Sequence, residues 1–146
     1  MTRARLLPFV ALEGATLMSG IANGVAMVAI PWLVLELTGS PAAAGIVAGA
    51  TALPLLFSSL FSGTVVDIVG RRRTSVMSDM LSAVSVAAIP LVELTVGLSF
   101  TWVLGLAILG AVFDPAGVTA RETMLTGVAQ VTGQRLERVN GIHEAI

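Results

Sequence analysis

Long stretches without a charged residue restrict how this chain can fold more than any other feature. Residues 14–35 and 37–66 contain no aspartate, glutamate, lysine or arginine. A helix needs about 20 apolar residues to cross the hydrocarbon core of a bilayer, and both stretches reach that length. Charged residues make up 12% of the 146 residues and hydrophobic residues 55%, whereas soluble domains contain about 25% charged residues. The composition therefore predicts a membrane protein.

Four segments are long and apolar enough to be membrane spans, at residues 8–36, 42–66, 74–97 and 100–118. They have to be helical, because each backbone group left unpaired in lipid costs several kcal/mol. The turn after the first span combines Gly39, Ser40 and Pro41, which suit a helix end, an N-cap and the first turn of the next helix. We therefore predict an all-α membrane protein with polytopic transmembrane helices.

The basic residues, all of them arginines, fall on one side of these spans. They precede the first span, follow the second or follow the fourth, at Arg3, Arg5, Arg71, Arg72, Arg73, Arg121, Arg135 and Arg138. Loops with an excess of positive charge stay in the cytoplasm. We therefore expect a multi-pass protein of the cell membrane with a cytoplasmic N-terminus. Residues 119–138 would form a cytoplasmic connection and residues 139–146 the start of a fifth span, so that the chain is a fragment of a larger protein.

Few groups for chemistry are present in this sequence. It contains no cysteine and one histidine, which excludes disulfides and leaves no cluster for a metal ion. A nucleophile with a partnered base is also missing. We therefore expect that the protein is not an enzyme and that it binds neither a cofactor nor a nucleic acid.

Small residues four positions apart mark the second span. Gly45 and Gly49 form one such pair, and Ser59 and Gly63 form another. Lipid gives helices no hydrophobic reason to associate, so faces of small residues are typical helix contacts. We expect close packing there, and the alternative is that glycine and alanine are simply common in this chain.

The turn between the second and third spans carries a motif. It reads Gly-x-x-x-Asp-x-x-Gly-Arg-Arg-Arg, formed by Gly63, Asp67, Gly70, Arg71, Arg72 and Arg73. In this position the motif resembles the loop signature of the major facilitator superfamily. Four further stretches resemble its macrolide- and siderophore-efflux branch, the enterobactin-exporter type, at residues 29–40, 78–81, 113–116 and 138–141.

The resemblance implies the N-terminal part of a secondary transporter with two six-span halves, working by alternating access. It implies efflux of drug-like or siderophore-like small molecules, with proton coupling as an open question. The partners would be the lipid bilayer, a small-molecule substrate, protons if they are coupled, and the C-terminal half that this chain lacks. The alternative is a stand-alone four-span membrane protein with a structural or regulatory role.

The resemblance also assigns a role to the loop motif. Asp67 would reach a helix of the second half and latch one conformation, because a carboxylate is favoured at a helix N-terminus by roughly 0.3–1 kcal/mol. Ile68 departs from the signature, which usually has a basic residue there. The alternative is an ordinary turn whose arginines are held by anionic lipid at about 1 kcal/mol each.

Polar residues inside the first span are candidates for a pathway or coupling site. Glu13, Thr16, Gly20 and Asn23 are three, four and three positions apart and share one helix face. Carboxylates and amides within a span are costly unless they face a cavity or a partner. Glu13 is a candidate proton or cation site, and the alternative is a wetted structural carboxylate. The efflux branch often has an aspartate where Asn23 stands, which weakens a borrowed coupling scheme.

Charged residues near the ends of the third and fourth spans complete the candidates. Asp79 lies within the third span, and Arg121 lies just beyond the same end of the fourth, so we predict an ion pair between them. Asp114 precedes Pro115 and is a candidate for capping a proline break, or for contact with substrate or coupling ion. No arginine lies within the fourth span as predicted, although proton antiporters of the superfamily commonly have one there.

Overall fold

Glycines in a left-handed conformation separate the four helices of the chain. The computed structural model describes residues 3–132 and Gly141, with side chains for residues 7–130. The helices are α1 (Arg3–Thr38), α2 (Pro41–Val69), α3 (Arg71–Val96) and α4 (Phe100–Thr132). Between them stand Gly39, Gly70 and Gly97, with φ of 64°, 95° and 79°, a region that glycine enters without strain. The architecture confirms the predicted all-α class.

Apolar side chains cover the outer surfaces of the helices. All four helices are long and apolar enough to cross a membrane. Leu60 is 75% exposed, Met27 81% and Leu94 82%. Surfaces of this kind suit contact with lipid tails, so the chain is a multi-pass helical membrane protein.

Polar groups close two of the turns. Ser40 caps α2, since its hydroxyl accepts a hydrogen bond from the Ala43 backbone N–H at 3.3 Å. At the turn from α3 to α4, the Glu93 carboxylate accepts the Leu98 backbone N–H at 2.7 Å. The first bond satisfies a backbone donor that the start of α2 leaves unpaired, and the second satisfies a donor in the turn itself.

Helix α4 packs against all three other helices, most extensively against α3. Near the turns at Gly39 and Gly97, an apolar cluster joins α1, α2 and α4 through Val34, Val47, Val103 and Ala107. At the opposite end of the bundle, Leu12 of α1 packs with Leu125 and Ala129 of α4. The polar contacts of the bundle lie between these two clusters.

The structure extends α4 beyond the predicted fourth span. The helix continues past Val118 to Thr132, so the connection predicted at residues 119–138 begins as helix. The extension is docked on the start of α1 through Leu12, Leu125 and Ala129. Residues 133–138 of that connection lie outside the described residues, as does the fifth span predicted at 139–146, apart from Gly141.

The glycines with close neighbours on another helix lie on α4, whereas we predicted close packing at the glycines of α2. A Cβ atom added at Gly110 would lie 2.9 Å from Ser85 Oγ, and one added at Gly117 would lie 2.9 Å from Ser78 Cβ. The glycines that the small-residue pattern selected have no described neighbour within 4 Å of such an atom (Gly45, Gly49 and Gly63). These glycines therefore make no close contact with another described helix, and close packing of this face stays a prediction.

Candidate functional site

A polar network joins α1, α3 and α4 in the middle of the bundle. Arg121 Nη1 donates to Asp79 Oδ1 at 2.8 Å and to Asp79 Oδ2 at 3.1 Å. Arg121 Nη2 donates to Ser19 Oγ at 3.1 Å, and that hydroxyl in turn donates to Asp79 Oδ1 at 3.2 Å. The structure thus brings together the two residues of the predicted ion pair and adds Ser19, which the sequence analysis missed.

Arg121 is more buried within the bundle than its predicted position beyond the fourth span suggested. Arg121 lies within α4 and its side chain is 4% exposed, whereas the Asp79 side chain is 39% exposed. A guanidinium removed from water is tolerated only when its donors have acceptors. Here Asp79 and Ser19 provide them. The fourth helix therefore does contain an arginine, because α4 continues through the position at which we had ended the span.

Gly117 lies at a close contact of α3 and α4 beside Arg121. It precedes Arg121 by about one helical turn, and a Cβ atom on it would lie 3.6 Å from Arg121 Nη1 and 2.9 Å from Ser78 Cβ. The absence of a side chain lets α3 approach α4 closely at this level. The Asp79–Arg121 pair therefore lies beside a close contact of α3 and α4 that has no room for a side chain at position 117.

Asp114 lies on the same seam between α3 and α4. Its carboxylate accepts a hydrogen bond from Ser82 Oγ, and its residue is half-buried. It precedes Arg121 by about two helical turns, or roughly 10 Å along the axis. Arg121 donates to Asp79 rather than to Asp114, so in the described structure Asp114 is a carboxylate that a hydroxyl holds in place.

The candidate face of α1 has a buried end and a half-buried end. Glu13 is 6% exposed and adjoins Leu12 of the apolar cluster with α4. Asn23 is half-buried, and no hydrogen bond of its side chain occurs with the described part of the chain. The structure therefore does not join Glu13 and Asn23 into one polar site.

The loop motif is attached to α4 through its first arginine. Arg71 Nη1 donates to the Thr123 backbone carbonyl at 2.9 Å, a contact that the sequence analysis missed. The Gly70 N–H donates to the Val66 carbonyl at 2.9 Å. Asp67 is exposed and forms no ion pair or hydrogen bond with residues 7–130. Gly63 has open space beside it, so the described helices do not use it for close contact.

Two serines of α2 give that helix polar contacts with α4. Thr119 Oγ1 donates to Ser62 Oγ at 2.9 Å, and Ser58 Oγ donates to the Val112 carbonyl. A cluster of metal ligands does not occur among the described residues. The polar side chains within the described bundle therefore include carboxylates, hydroxyl groups, the Asn23 amide and the buried Arg121 guanidinium.

Comparisons with protein families and with known proteins agree on one family for this chain. The model of the Major Facilitator Superfamily matches residues 12–146. The chain is 48% identical over 149 residues to the multidrug efflux pump Tap of Mycolicibacterium fortuitum, an alignment that covers 100% of this chain and 36% of that protein. It is 51% identical over 135 residues to the pumps of the same name from Mycobacterium tuberculosis and Mycobacterium bovis, covering 90% of this chain and 32% of theirs.

The chain spans about a third of the length of these curated relatives, since it covers 36% and 32% of them. No solved structure matches it.

Proposed function

The chain belongs to the major facilitator superfamily, and on that basis we propose that it forms the first helices of an efflux transporter for drug-like small molecules. The observation that carries the proposal is the 48–51% identity to proteins named multidrug efflux pumps, over 90% or more of this chain. The family comprises transporters, which supports transport as the function. Siderophore-like molecules are the second substrate class to test.

The proposed mechanism is alternating access. In this mechanism two halves of a transporter rock around a substrate site near the bilayer midplane. The chain supplies helices of the first half, and the proposed partner is a C-terminal half. The protein would lie in the cell membrane with the loop at Arg71 and the N-terminus in the cytoplasm, a proposal that rests on the distribution of arginines.

The loop motif is proposed to act as a latch between the halves. Arg71 is attached to the Thr123 carbonyl at 2.9 Å, so that the loop is fixed to its own bundle. Asp67 is exposed and forms no bond with residues 7–130, which leaves its carboxylate available to a helix N-terminus of the other half. A difference of roughly 0.3–1 kcal/mol between two conformations is enough to bias their populations.

We also propose that export is coupled to the movement of protons. Among the acidic candidates, Asp79 is neutralised by Arg121 at 2.8 Å, whereas Asp114 is held by a serine hydroxyl. Asp114 is therefore the first candidate to exchange a proton, with Glu13 the second and Asn23 a candidate pathway residue. One proton that moves down 100 mV releases about 2.3 kcal/mol, which sustains a roughly 50-fold gradient of a neutral solute.

The test uses the natural full-length chain in a bacterial host that lacks its own drug exporters. We expect cells that produce the protein to accumulate less ethidium and to tolerate more macrolide than cells with an empty vector. An Arg121→Gln variant that is equally abundant in the membrane should lose both effects. That loss would link lower ethidium accumulation and higher macrolide tolerance to transport by the protein. Equal accumulation in cells with and without the wild-type protein would contradict drug efflux, and siderophore release under iron limitation would then test the second class.

The comparisons do not favour a structural or regulatory four-span protein, because the matched relatives are named efflux pumps.

A further inference from the structure

The three arginines of the loop divide between two faces of α3. Buried Thr74, Ser75 and Ser78 mark the face of α3 that is turned inward. Arg71 stands three and four positions before Thr74 and Ser75, so it belongs to that face. Its donation to the Thr123 carbonyl of α4 at 2.9 Å agrees with this placement. Arg71, although exposed, therefore has a hydrogen-bond partner within the bundle.

Arg72 and Arg73 continue the outer face of α3. Both residues are exposed, and each stands four positions before an exposed apolar residue. Val76 is 51% exposed, Met77 55% and Met80 64%. Residues four positions apart lie above one another on a helix, so this apolar stripe ends in two guanidinium groups.

Neither charge is compensated within the described structure. The one ion pair among residues 7–130 is that of Arg121 with Asp79. Arg72 and Arg73 form no hydrogen bond with this part of the chain, and the nearby Asp67 does not pair with them. Two adjacent cations at the end of an exposed apolar stripe are therefore available to a partner from outside the described bundle.

We propose that Arg72 and Arg73 bind the headgroup of an anionic phospholipid whose acyl chains lie along Val76, Met77 and Met80. A phospholipid matches both the apolar stripe and the two arginines. Its acyl tails can pack on the apolar side chains, and its phosphate can accept hydrogen bonds from the guanidinium groups. A soluble anion would match the arginines alone. The inference is independent of which solute the protein moves.

The test is a lipid titration of the purified full-length protein in detergent, with bound lipids counted by native mass spectrometry. The probes are phosphatidylglycerol and phosphatidylcholine with the same acyl chains. We expect the wild-type protein to prefer phosphatidylglycerol. Replacing both residues (R72Q and R73Q together) should weaken that binding by about 30-fold, the loss for two guanidinium groups at about 1 kcal/mol each.

Two matched variants sharpen the result. Arg71→Gln should retain the preference for phosphatidylglycerol, because Arg71 donates to Thr123. Replacing Arg72 and Arg73 by lysine should retain most of it, since the charge is kept. The proposal is overturned if wild-type protein binds both lipids equally, if the double glutamine variant binds as the wild type does, or if Arg71→Gln causes an equal loss.

Discussion

Arg121 of α4 and Asp79 of α3 form a two-pronged contact, in which one guanidinium nitrogen reaches both carboxylate oxygens at 2.8 and 3.1 Å. The contact places one positive and one negative charge within helices that are long enough to span a membrane. Residues of this kind are rare in membrane helices and are retained where they have a function. The pair is therefore the part of the described structure whose replacement should have the largest effects.

We predict that Arg121→Gln and Asp79→Asn each destabilise the protein more than the double variant does. Removal of one partner of a buried pair costs roughly 3–5 kcal/mol, and the lower end applies because the Asp79 side chain is 39% exposed. The double variant leaves no unpaired charge. Thermal unfolding of the four proteins in detergent measures the cycle, and additive losses would show that the two residues are not coupled.

We predict that Gly117→Ala is destabilising by about 1–3 kcal/mol through overpacking. The added Cβ would lie 2.9 Å from Ser78 Cβ, so Ser78→Gly should relieve the loss whereas Ser78→Ala should not. Gly105→Ala is the matched control, since no atom lies within 4 Å of its added Cβ and alanine favours helix. Equal stability of the Gly105→Ala and Gly117→Ala proteins in thermal unfolding would disprove the contact.

We predict that Asp67→Asn shifts the balance between inward-open and outward-open forms of the full-length protein by about two- to fivefold, the effect of 0.3–1 kcal/mol at a helix terminus. Asp67→Glu should shift it less, because the charge remains. Stability should be unchanged, since Asp67 is exposed. Distance distributions between spin labels on the two halves report the populations, and identical distributions for wild-type and asparagine proteins would exclude the latch.

We predict that Asp114→Asn abolishes the response of export to a pH gradient in inside-out vesicles. The amide can keep a hydrogen bond with Ser82 but cannot exchange a proton. Glu13→Gln tests the second candidate in the same assay, and Glu122→Gln serves as control because Glu122 is an exposed carboxylate next to Arg121. If the Asp114→Asn protein responds to pH as the wild type does, Asp114 is not the residue that couples export to protons.

We predict that the turn at Ile68 and the turn at Ser99 are accessible to a labelling reagent from opposite faces of the membrane. This chain contains no cysteine, so single cysteines can be introduced at Ile68, which is 79% exposed, and at exposed Ser99. A membrane-impermeant maleimide should label Ser99→Cys in intact cells and Ile68→Cys only in inverted vesicles. Labelling of both from one side would refute the proposed orientation.

The helices and turns could be predicted because their causes are local in the sequence. Uncharged length determines a span, and Ser40 sits beside the backbone donor that it caps. The pairing of Asp79 with Arg121 was also predictable, since both lie near the same end of neighbouring spans.

Contacts between distant segments could not be predicted in the same way. Ser19 lies 60 positions from Asp79 and 102 from Arg121, and a serine in a span carries no signal that selects its partner. The spacing of glycines favoured α2, yet the close approach is at Gly117, where a serine of α3 happens to cross. The unbroken continuation of α4 past Val118 was also not evident, because polar residues there are typical of a connection between spans, and the contact of Leu125 with Leu12 forms only in the folded bundle.

The separation of Asp79 and Arg121 by 42 positions also bears on how the protein is made. During synthesis α3 emerges from the ribosome before its cationic partner exists, so on its own it would present an unmatched carboxylate to the membrane. Arg121 has the same difficulty without α3. The two helices therefore enter the bilayer most favourably as a pre-paired hairpin, with the tight turn at Gly97 holding them side by side until both charges are inside.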